Sequence, residues 1–502
     1  MRQLTQSALL RRCAPLLAAV SLSVPLTVST AAADEAPRGA LWLPTTASPT
    51  GEYVTRPDIE AQGMTTTSTG EETPGLLFTT PNPDDNQAIS KGAIYDQEGE
   101  LVWWSSPAEE RAHFDMEPIT WQGEPALMMW DGRFGGPSDN PPRYVILDDS
   151  YQEVASFAMT DQYRTDGHDA ELSEDGSHIL LMTYVAVPYD LSEWGGPADA
   201  RVVDTVVQER DTETGEVTFE WSALDHVPVD ETLDPITPEQ PPGGVFDLFH
   251  FNSLDYDSDG NMLFSARSTS TVYKVDHDNG EILWRLGGEN NDFDFADPAD
   301  MPSAQHDARR LPDGRISVFD NGNYREPPFS RASYYELDEE NMTGELVEAI
   351  LPAEQIFAGF AGSVRELGND RQLVTFGATG TIKEFDDGEE VFTAELEDRY
   401  LTYRAELADW HATPTTEPDV ALGVPSEEGT QTMYMSWNGA TDVAGWLIEA
   451  GPSEDELYTV GYADRAGFET GAEFTPSSYD KVYQITALGR FGQPLSSTTL
   501  TP

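Results

Sequence analysis

Cysteine is all but missing from this sequence. The one thiol, Cys13, lies in the first stretch of the chain, so beyond it no disulfide, thiolate nucleophile or cysteine-based metal site can form. Positive charge is nearly as scarce. Lysine occurs only at Lys91, Lys274, Lys383 and Lys481, and 28 basic residues face 90 acidic ones, for a net charge of -62. A field of that sign repels phosphate backbones and anionic headgroups, which excludes a nucleic-acid partner. It suits a hydrated surface in high salt, where screening weakens self-repulsion. Past the N-terminal segment no apolar run is long enough to cross a bilayer. Helical periodicity is scarce between residues 75 and 400. No phosphate-cradling glycine loop, nucleophile-elbow serine or His-Glu-x-x-His signature occurs.

What is present begins with "MRQLTQSALLRRCAPLLAAVSLSVPLTVSTAAADEAP". Arg2, Arg11 and Arg12 precede an apolar stretch ending in small residues, the pattern of a secretory signal over 1–33 with cleavage near Ala33. The arginine pair also permits twin-arginine export. The expectation is an exported protein with no membrane insertion once the signal is removed. Residues 34–74, rich in Pro, Thr and Gly, read as an exposed N-terminal arm.

Between residues 75 and 410 one unit recurs: a strand, an acidic turn, then an acidic residue leading a second apolar strand. The copies are "GAIYDQEGELVWW" (92–104), "YVILDDSYQEVASF" (144–157), "VVQERDTETGEVTFEW" (206–221), "VYKVDHDNGEILWRL" (272–286), "YYELDEENMTGELVEAI" (334–350) and "IKEFDDGEEVFTAEL" (382–396). Six copies at this spacing suit blades of about four strands. A second feature repeats upstream of these turns. "HDAELSEDGSHILLM" begins at His168, "HFNSLDYDSDGNMLFSAR" at His250 and "HDARRLPDGRISVFD" at His306, while "GSVRELGNDRQLVTF" has Gly362 at the matching place. In a propeller such positions face one another across a central channel, so the three imidazoles are expected to converge there. Arg267 follows on the strand after His250. The remaining histidines, His113, His178, His226, His277 and His411, fall outside this register and read as surface residues. "DYDSDGN" at 255–261 alternates aspartates like a calcium loop, but the twelfth position is Ala266 rather than a bidentate glutamate, so it reads as a hairpin turn.

After the Pro/Thr/Glu-rich stretch at 411–418, which reads as a linker, the pattern changes. "TMYMSWNGATDVAGWLIEAG" and "DKVYQITALGRFGQPLSS" resemble a fibronectin type III domain over 419–502, through Trp437 and the Tyr483-x-Ile-x-Ala run. The expected fold is therefore all-β: a six-bladed β-propeller over 75–410 followed by a small β-sandwich.

Channel histidines can serve as nucleophile, acid, base or metal ligand. An imidazole attacks electrophilic sulfur or phosphorus directly, and a guanidinium beside it holds two oxygens of a transferring group. Three convergent histidines also fit zinc or copper, although an adjacent arginine disfavours a cation. A histidine-ligated metallo-hydrolase and a non-catalytic propeller whose tail docks to a surface polymer are the competing readings.

The segments "DLFHFNSLDYDSDGNMLFSARSTSTVYKVDHDNGEILWRLGG" and "QHDARRLPDGRISVFDNG" resemble the bacterial arylsulfotransferase family, with the histidine, asparagine-serine, arginine and Phe-Asp-Asn-Gly elements in order. The resemblance covers roughly residues 75–410. It implies transfer of a sulfuryl group from a phenolic sulfate donor to a phenol acceptor through a sulfated histidine, with no phosphoadenosine donor and no cofactor or metal. By the same resemblance His306 is the nucleophile, His250 and Arg267 bind the sulfuryl oxygens, Asn252 assists in binding, and His168 exchanges the phenol proton. The chain departs from the family pattern in its acidity, its lack of a cysteine pair and its appended C-terminal segment.

Overall fold

Why the chain breaks into so many short sheets follows from its turns. Each Asp/Gly turn closes a tight hairpin, as at Asp257, whose N–H meets Asn261 O at 2.8 Å while Gly260 takes φ +88°, and such hairpins build antiparallel meanders. The computed structural model describes residues 41–502 apart from 84–88, 135–139, 161, 240, 242–243 and 398–399. The expected signal and Cys13 lie outside the described residues.

Six sheets follow one another along the chain, and four of them, the second to the fifth, are four-stranded meanders in chain order. The second sheet holds Ala112–Trp121, Glu124–Gly132, Arg143–Leu147 and Glu153–Phe157; the third holds Ala170–Leu172, His178–Tyr189, Ala200–Asp211 and Val217–Ser222. The fourth runs from Phe251–Tyr256 through Met262–Ala266 and Thr271–Val275 to Ile282–Gly287. His306–Arg310, Ile316–Asp320, Arg331–Asp338 and Thr343–Ile350 form the fifth. The sixth has Ser363–Gly368, Arg371–Phe376, Thr381–Asp386 and Glu389–Leu396, with Met64–Ser68 added beyond its last strand. The first sheet is made from both ends of this region: Leu76–Thr79, Ala93–Tyr95 and Leu101–Trp104 are joined by Ala405–Ala408, which pairs with Leu76–Thr79. Every acidic-turn copy seen in the sequence forms the third and fourth strands of one of these sheets.

Consecutive sheets pack on one another, the second and third through Met128, Ile146, Ile179 and Leu181, and the sixth returns to the first, so the array closes. Apolar clusters fill each gap, for example Trp221, Phe251, Phe264 and Tyr273 between the third and fourth sheets. Middle strands such as Met262–Ala266 and Ile316–Asp320 are buried on both faces and show no in–out alternation, whereas the last strand of the fifth sheet alternates.

Two further sheets, one of Asp419–Leu422, Gln431–Ser436, Glu469–Phe474 and Thr45–Ala47, the other of Tyr458–Asp464, Val443–Gly451, Val482–Gly489 and Pro494–Leu500, enclose Met433, Met435, Trp446, Ile448 and Ile485. The segment expected as an exposed arm is not one. Thr45–Ala47 pairs with Glu469–Phe474, Met64–Ser68 pairs with Glu389–Leu396, and Tyr53 and Ile59 are buried. The cause is a buried carboxylate: Glu469 accepts from Ser48 Oγ (2.5 Å), Val54 N–H (3.0 Å) and Thr55 N–H (2.6 Å), which fixes the intervening loop.

The C-terminal sheets meet the first and second sheets through a short turn. Asn438 bonds both the N–H and the carbonyl of Trp104 at 2.9 Å, extending that strand's edge. Gly439 sits at φ +89° under the Trp103–Tyr151 stack, where a Cβ would come within 2.3 Å of Tyr151. Both the backbone and the space require glycine. Gly439→Ala is expected to destabilise by about 1–3 kcal/mol, as overpacking does, and thermal unfolding measures it.

Candidate active site

The first strand of each sheet ends in a turn closed by a backbone bond, which provides a common ruler. The closing donors are Ser173, Asp257 and Leu311 in the third, fourth and fifth sheets. Counting back five residues from each gives His168, Asn252 and His306. His250 is therefore not in register with the other two; it lies two residues upstream of the equivalent place, which Asn252 holds. Its left-handed backbone (φ +53°) and the irregular pairing between Phe251 and Ser253 nevertheless turn its ring toward theirs.

The convergence itself is found. The His168 and His250 rings lie 5.1 Å apart, edge to face. Tyr403, from the segment leading into the closing strand, is 5.6 Å from His168 and 6.5 Å from His306. Tyr184 is 5.3 Å from His168 and 5.8 Å from His250. Arg267 is anchored by its N–H to His250 O at 2.9 Å. Its Nη2 reaches Gly359 O at 3.4 Å, and its Nε is buried with no hydrogen-bond partner. No carboxylate among the described residues forms an ion pair with it, an unusual state for a guanidinium in so acidic a chain.

His306 is buried, and its tautomer is fixed by its neighbour. Asn321 Nδ2 donates to Ala358 O at 2.7 Å and Ala361 O at 3.0 Å, so Asn321 Oδ1 faces His306 Nδ1 at 2.8 Å as acceptor. Nδ1 thus carries the proton and Nε2 the lone pair, which accepts the Ala361 N–H at 3.2 Å. Burial, together with the charges on His250, Arg267 and His168, depresses its pKa well below the ordinary histidine value, although the Asn321 bond opposes this. A neutral, oriented imidazole is a nucleophile at ordinary pH.

His168 is tuned the other way. Burial opposes its charge, but Asp166, 2.5 Å from Nδ1, outweighs burial and raises the pKa. Asp247 Oδ2 lies 2.6 Å from His250 Nδ1 and orients that ring. Such carboxylate–imidazole pairs leave Nε2 as the working nitrogen. Asn252 is brought to the site but is fully buried, with its Nδ2 donating to the Gln305 carbonyl at 2.8 Å. That bond steadies the backbone carrying His306 and uses one of the two amide N–H groups.

Beneath the histidines, the first strands of the sheets meet in a buried charge cluster. Arg404, 3% exposed, bonds Asp169 at 2.6 Å and Asp115 at 3.0 Å, and its Nε lies 3.5 Å from Asp307. Arg309 reaches Asp169 and Asp307, and Arg365 also holds Asp307. Burial disfavours charge on Asp307, yet Arg365, Arg309 and Arg404 keep its carboxyl well below the usual range. Asp115 is pushed up to about 7 by burial and by Asp169 on the same guanidinium, with Arg404 offsetting only part.

Asp166, Asp247, Asn321, Tyr184 and Tyr403 were not legible as site residues. The Asp-x-His of 166–168 and the Asp-x-x-His of 247–250 are visible signals for the first two; Tyr403 carries none. Among the histidines expected at the surface, His113 is instead a strand residue only 12% exposed, its pKa lowered to about 4 by burial. A cleft of about 710 Å³ lined by Pro235, Pro238, Phe246 and Asp247 opens beside the His250 partner. Among the described residues no group of three or more His, Cys, Asp or Glu side chains has a metal-holding arrangement.

Residues 117–397 match the family described as Arylsulfotransferase (ASST), and the chain belongs to that family. Membership supports an arylsulfotransferase-like activity on small-molecule phenols and sulfate esters. No curated protein matches the chain. Among solved structures, a protein of unknown function from Bacteroides caccae is 13% identical, with 66% of this chain and 98% of that one covered at a TM-score of 0.41. A catalytically inactive virginiamycin B lyase from Staphylococcus aureus is 7% identical, with 82% and 100% covered at 0.34. No helix among the described residues is long and apolar enough to cross a membrane.

Proposed function

We propose that the protein is an exported aryl-sulfate:phenol sulfotransferase working through a sulfated His306, built as a six-bladed propeller over 75–410 with a fibronectin type III-like sandwich over 419–502. One observation supports this above the rest: a neutral histidine of fixed tautomer, His306, and an arginine with no carboxylate partner among the described residues, Arg267, both bond the backbone of residues 359–361.

In the first half-reaction the Ala361 N–H gives up His306 Nε2, whose freed lone pair attacks sulfur, forming N–S as the S–O bond to the aryl group breaks. Arg267 and His250 hold sulfuryl oxygens, the place where negative charge gathers. His168 gives its Nε2 proton to the departing phenoxide. In the second half the acceptor phenol returns a proton to His168, its oxygen attacks sulfur, and the N–S electrons return to His306. The cycle needs no external nucleotide. Release of chromophore from 4-nitrophenyl sulfate, stimulated by added phenol and accompanied by a sulfuryl mass increment on the protein, is the expected result. No phenol-stimulated release in salt that keeps the protein folded would overturn the proposal. A metallo-hydrolase would lose activity to a chelator, and a docking propeller would show neither signal.

The paired carboxylate gives a pH prediction. His168 must be protonated for the first step, and Asp166 raises its pKa, so activity persists above the ordinary histidine range and falls as pH rises further. Asp166→Asn removes that support, and the alkaline limb of kcat/KM is expected to move to lower pH. The acidic limb, set by neutral His306, stays in place. A pH–rate profile with an unmoved alkaline limb would remove His168 from the acid role.

A further inference from the structure

The segment 357–362, Phe-Ala-Gly-Phe-Ala-Gly, forms one wall of this site. Its backbone is pinned at many points. Ala358 N–H donates to Ser330 Oγ at 2.9 Å, and Asn321 Nδ2 donates to the carbonyls of Ala358 and Ala361. Gly359 O accepts from Asn323 Nδ2 at 2.9 Å and from Arg267. Ala361 N–H meets His306 Nε2 at 3.2 Å, and Gly362 N–H meets Tyr403 O at 3.0 Å.

Against this fixed backbone, two large apolar side chains are left in solvent. Phe357 is 45% exposed and Phe360 is 41% exposed. The Phe357 ring lies over Gly359, where a Cβ would come within 3.1 Å of it, and that same glycine's carbonyl is the one held by Arg267. Phe360 immediately precedes the residue whose N–H touches the nucleophilic nitrogen. Two rings are left exposed on a loop whose Gly359 carbonyl meets Arg267 and whose Ala361 N–H meets His306, and exposed rings there are matched to a flat apolar ligand.

We propose that Phe357 and Phe360 form one face against which the aromatic rings of both the sulfate donor and the phenol acceptor pack. The inference rests on His306 as the nucleophile. Displacement at sulfur is in line, so the leaving oxygen of the donor and the entering oxygen of the acceptor each lie opposite Nε2. Microscopic reversibility then places both rings in the same region, one after the other, and a single platform serves both half-reactions. Because the loop backbone is held by Ser330, Asn321 and Asn323, trimming the phenylalanines removes ring contacts and leaves Ala361 where it is.

The test uses the full chain carrying Phe357→Ala, Phe360→Ala or both, with 4-nitrophenyl sulfate as donor and phenol as acceptor. Each single variant is expected to raise KM for donor and acceptor by the same factor, about three- to tenfold, with kcat little changed. Phe360→Tyr restores the wild-type values, and Phe360→Leu, which keeps bulk without an aromatic face, does not. Unchanged KM values, a rise for one substrate alone, or a fall in kcat alone would overturn the platform. Calorimetric titration with 4-nitrophenol separates this from the chemistry. In a protein that fails to turn over aryl sulfate, weaker 4-nitrophenol binding by the double variant still supports the platform, and equal affinity overturns it.

Discussion

His306→Asn is expected to lower the rate of aryl sulfate turnover by at least about a thousandfold, as loss of a covalent nucleophile does. The replacement keeps a polar side chain facing Asn321, so the pocket loses the attacking nitrogen without gaining a large cavity. Three readouts belong together. Turnover falls, the sulfuryl mass increment disappears after donor treatment, and the thermal unfolding midpoint stays close to wild type. Should the variant retain turnover and still gain the mass, the N–S bond forms elsewhere, and His250 is the next nitrogen to test. The contrast with Asp166→Asn is informative. That change keeps the nucleophile and shifts only the pH limb assigned to proton transfer, so the two variants separate attack from protonation.

Arg404→Met is expected to have the largest effect on stability. Asp115, Asp169 and Asp307 converge on this guanidinium, and removing one partner of a buried ion pair costs about 3–5 kcal/mol. Against a total of about 5–15 kcal/mol for a typical domain, such a loss leaves little folded protein at elevated temperature. The pH dependence has a definite sign. Asp115 is raised to about 7 in the folded state, above its value in an unfolded chain. Its contribution is therefore fully present below the unfolded pKa of about 4 and is lost as pH rises through about 7. Lowering pH from 8 toward 5 is expected to recover part of the stability, first by protonating Asp115, and denaturant titrations at the two pH values measure it. A variant as stable as wild type at pH 8 would show that the carboxylates find other partners.

Much of this architecture is legible in the sequence because hairpins are local. An Asp/Gly turn between two alternating runs specifies its own strand pair, and six such runs emerge as the last two strands of six sheets. Longer-range matters are less visible. His168 and His250 each stand four residues before a leucine, Leu172 and Leu254, so the two segments look superposable. The strand at Phe251–Tyr256 runs further before turning, and this moves the equivalent place to Asn252. Nothing near Tyr403 or Arg404 advertises that they cross to the histidine cluster, since their partners lie up to 289 positions away. The threonine-rich start of the described region has the composition of a coil, but unpaired strand edges and the Glu469 carboxylate draw it into two sheets.

The strand at Ala405–Ala408 completes a sheet whose other members are drawn from residues 76–104. A ribosome releases those early partners about three hundred residues before their mate, so Leu76–Thr79 must wait with a bare hydrogen-bonding edge while the rest of the chain is made. Closure is thus reserved for nearly full-length molecules. A premature stop before Ala405 would leave the circle unsealed, with an adhesive margin available to any neighbouring polypeptide.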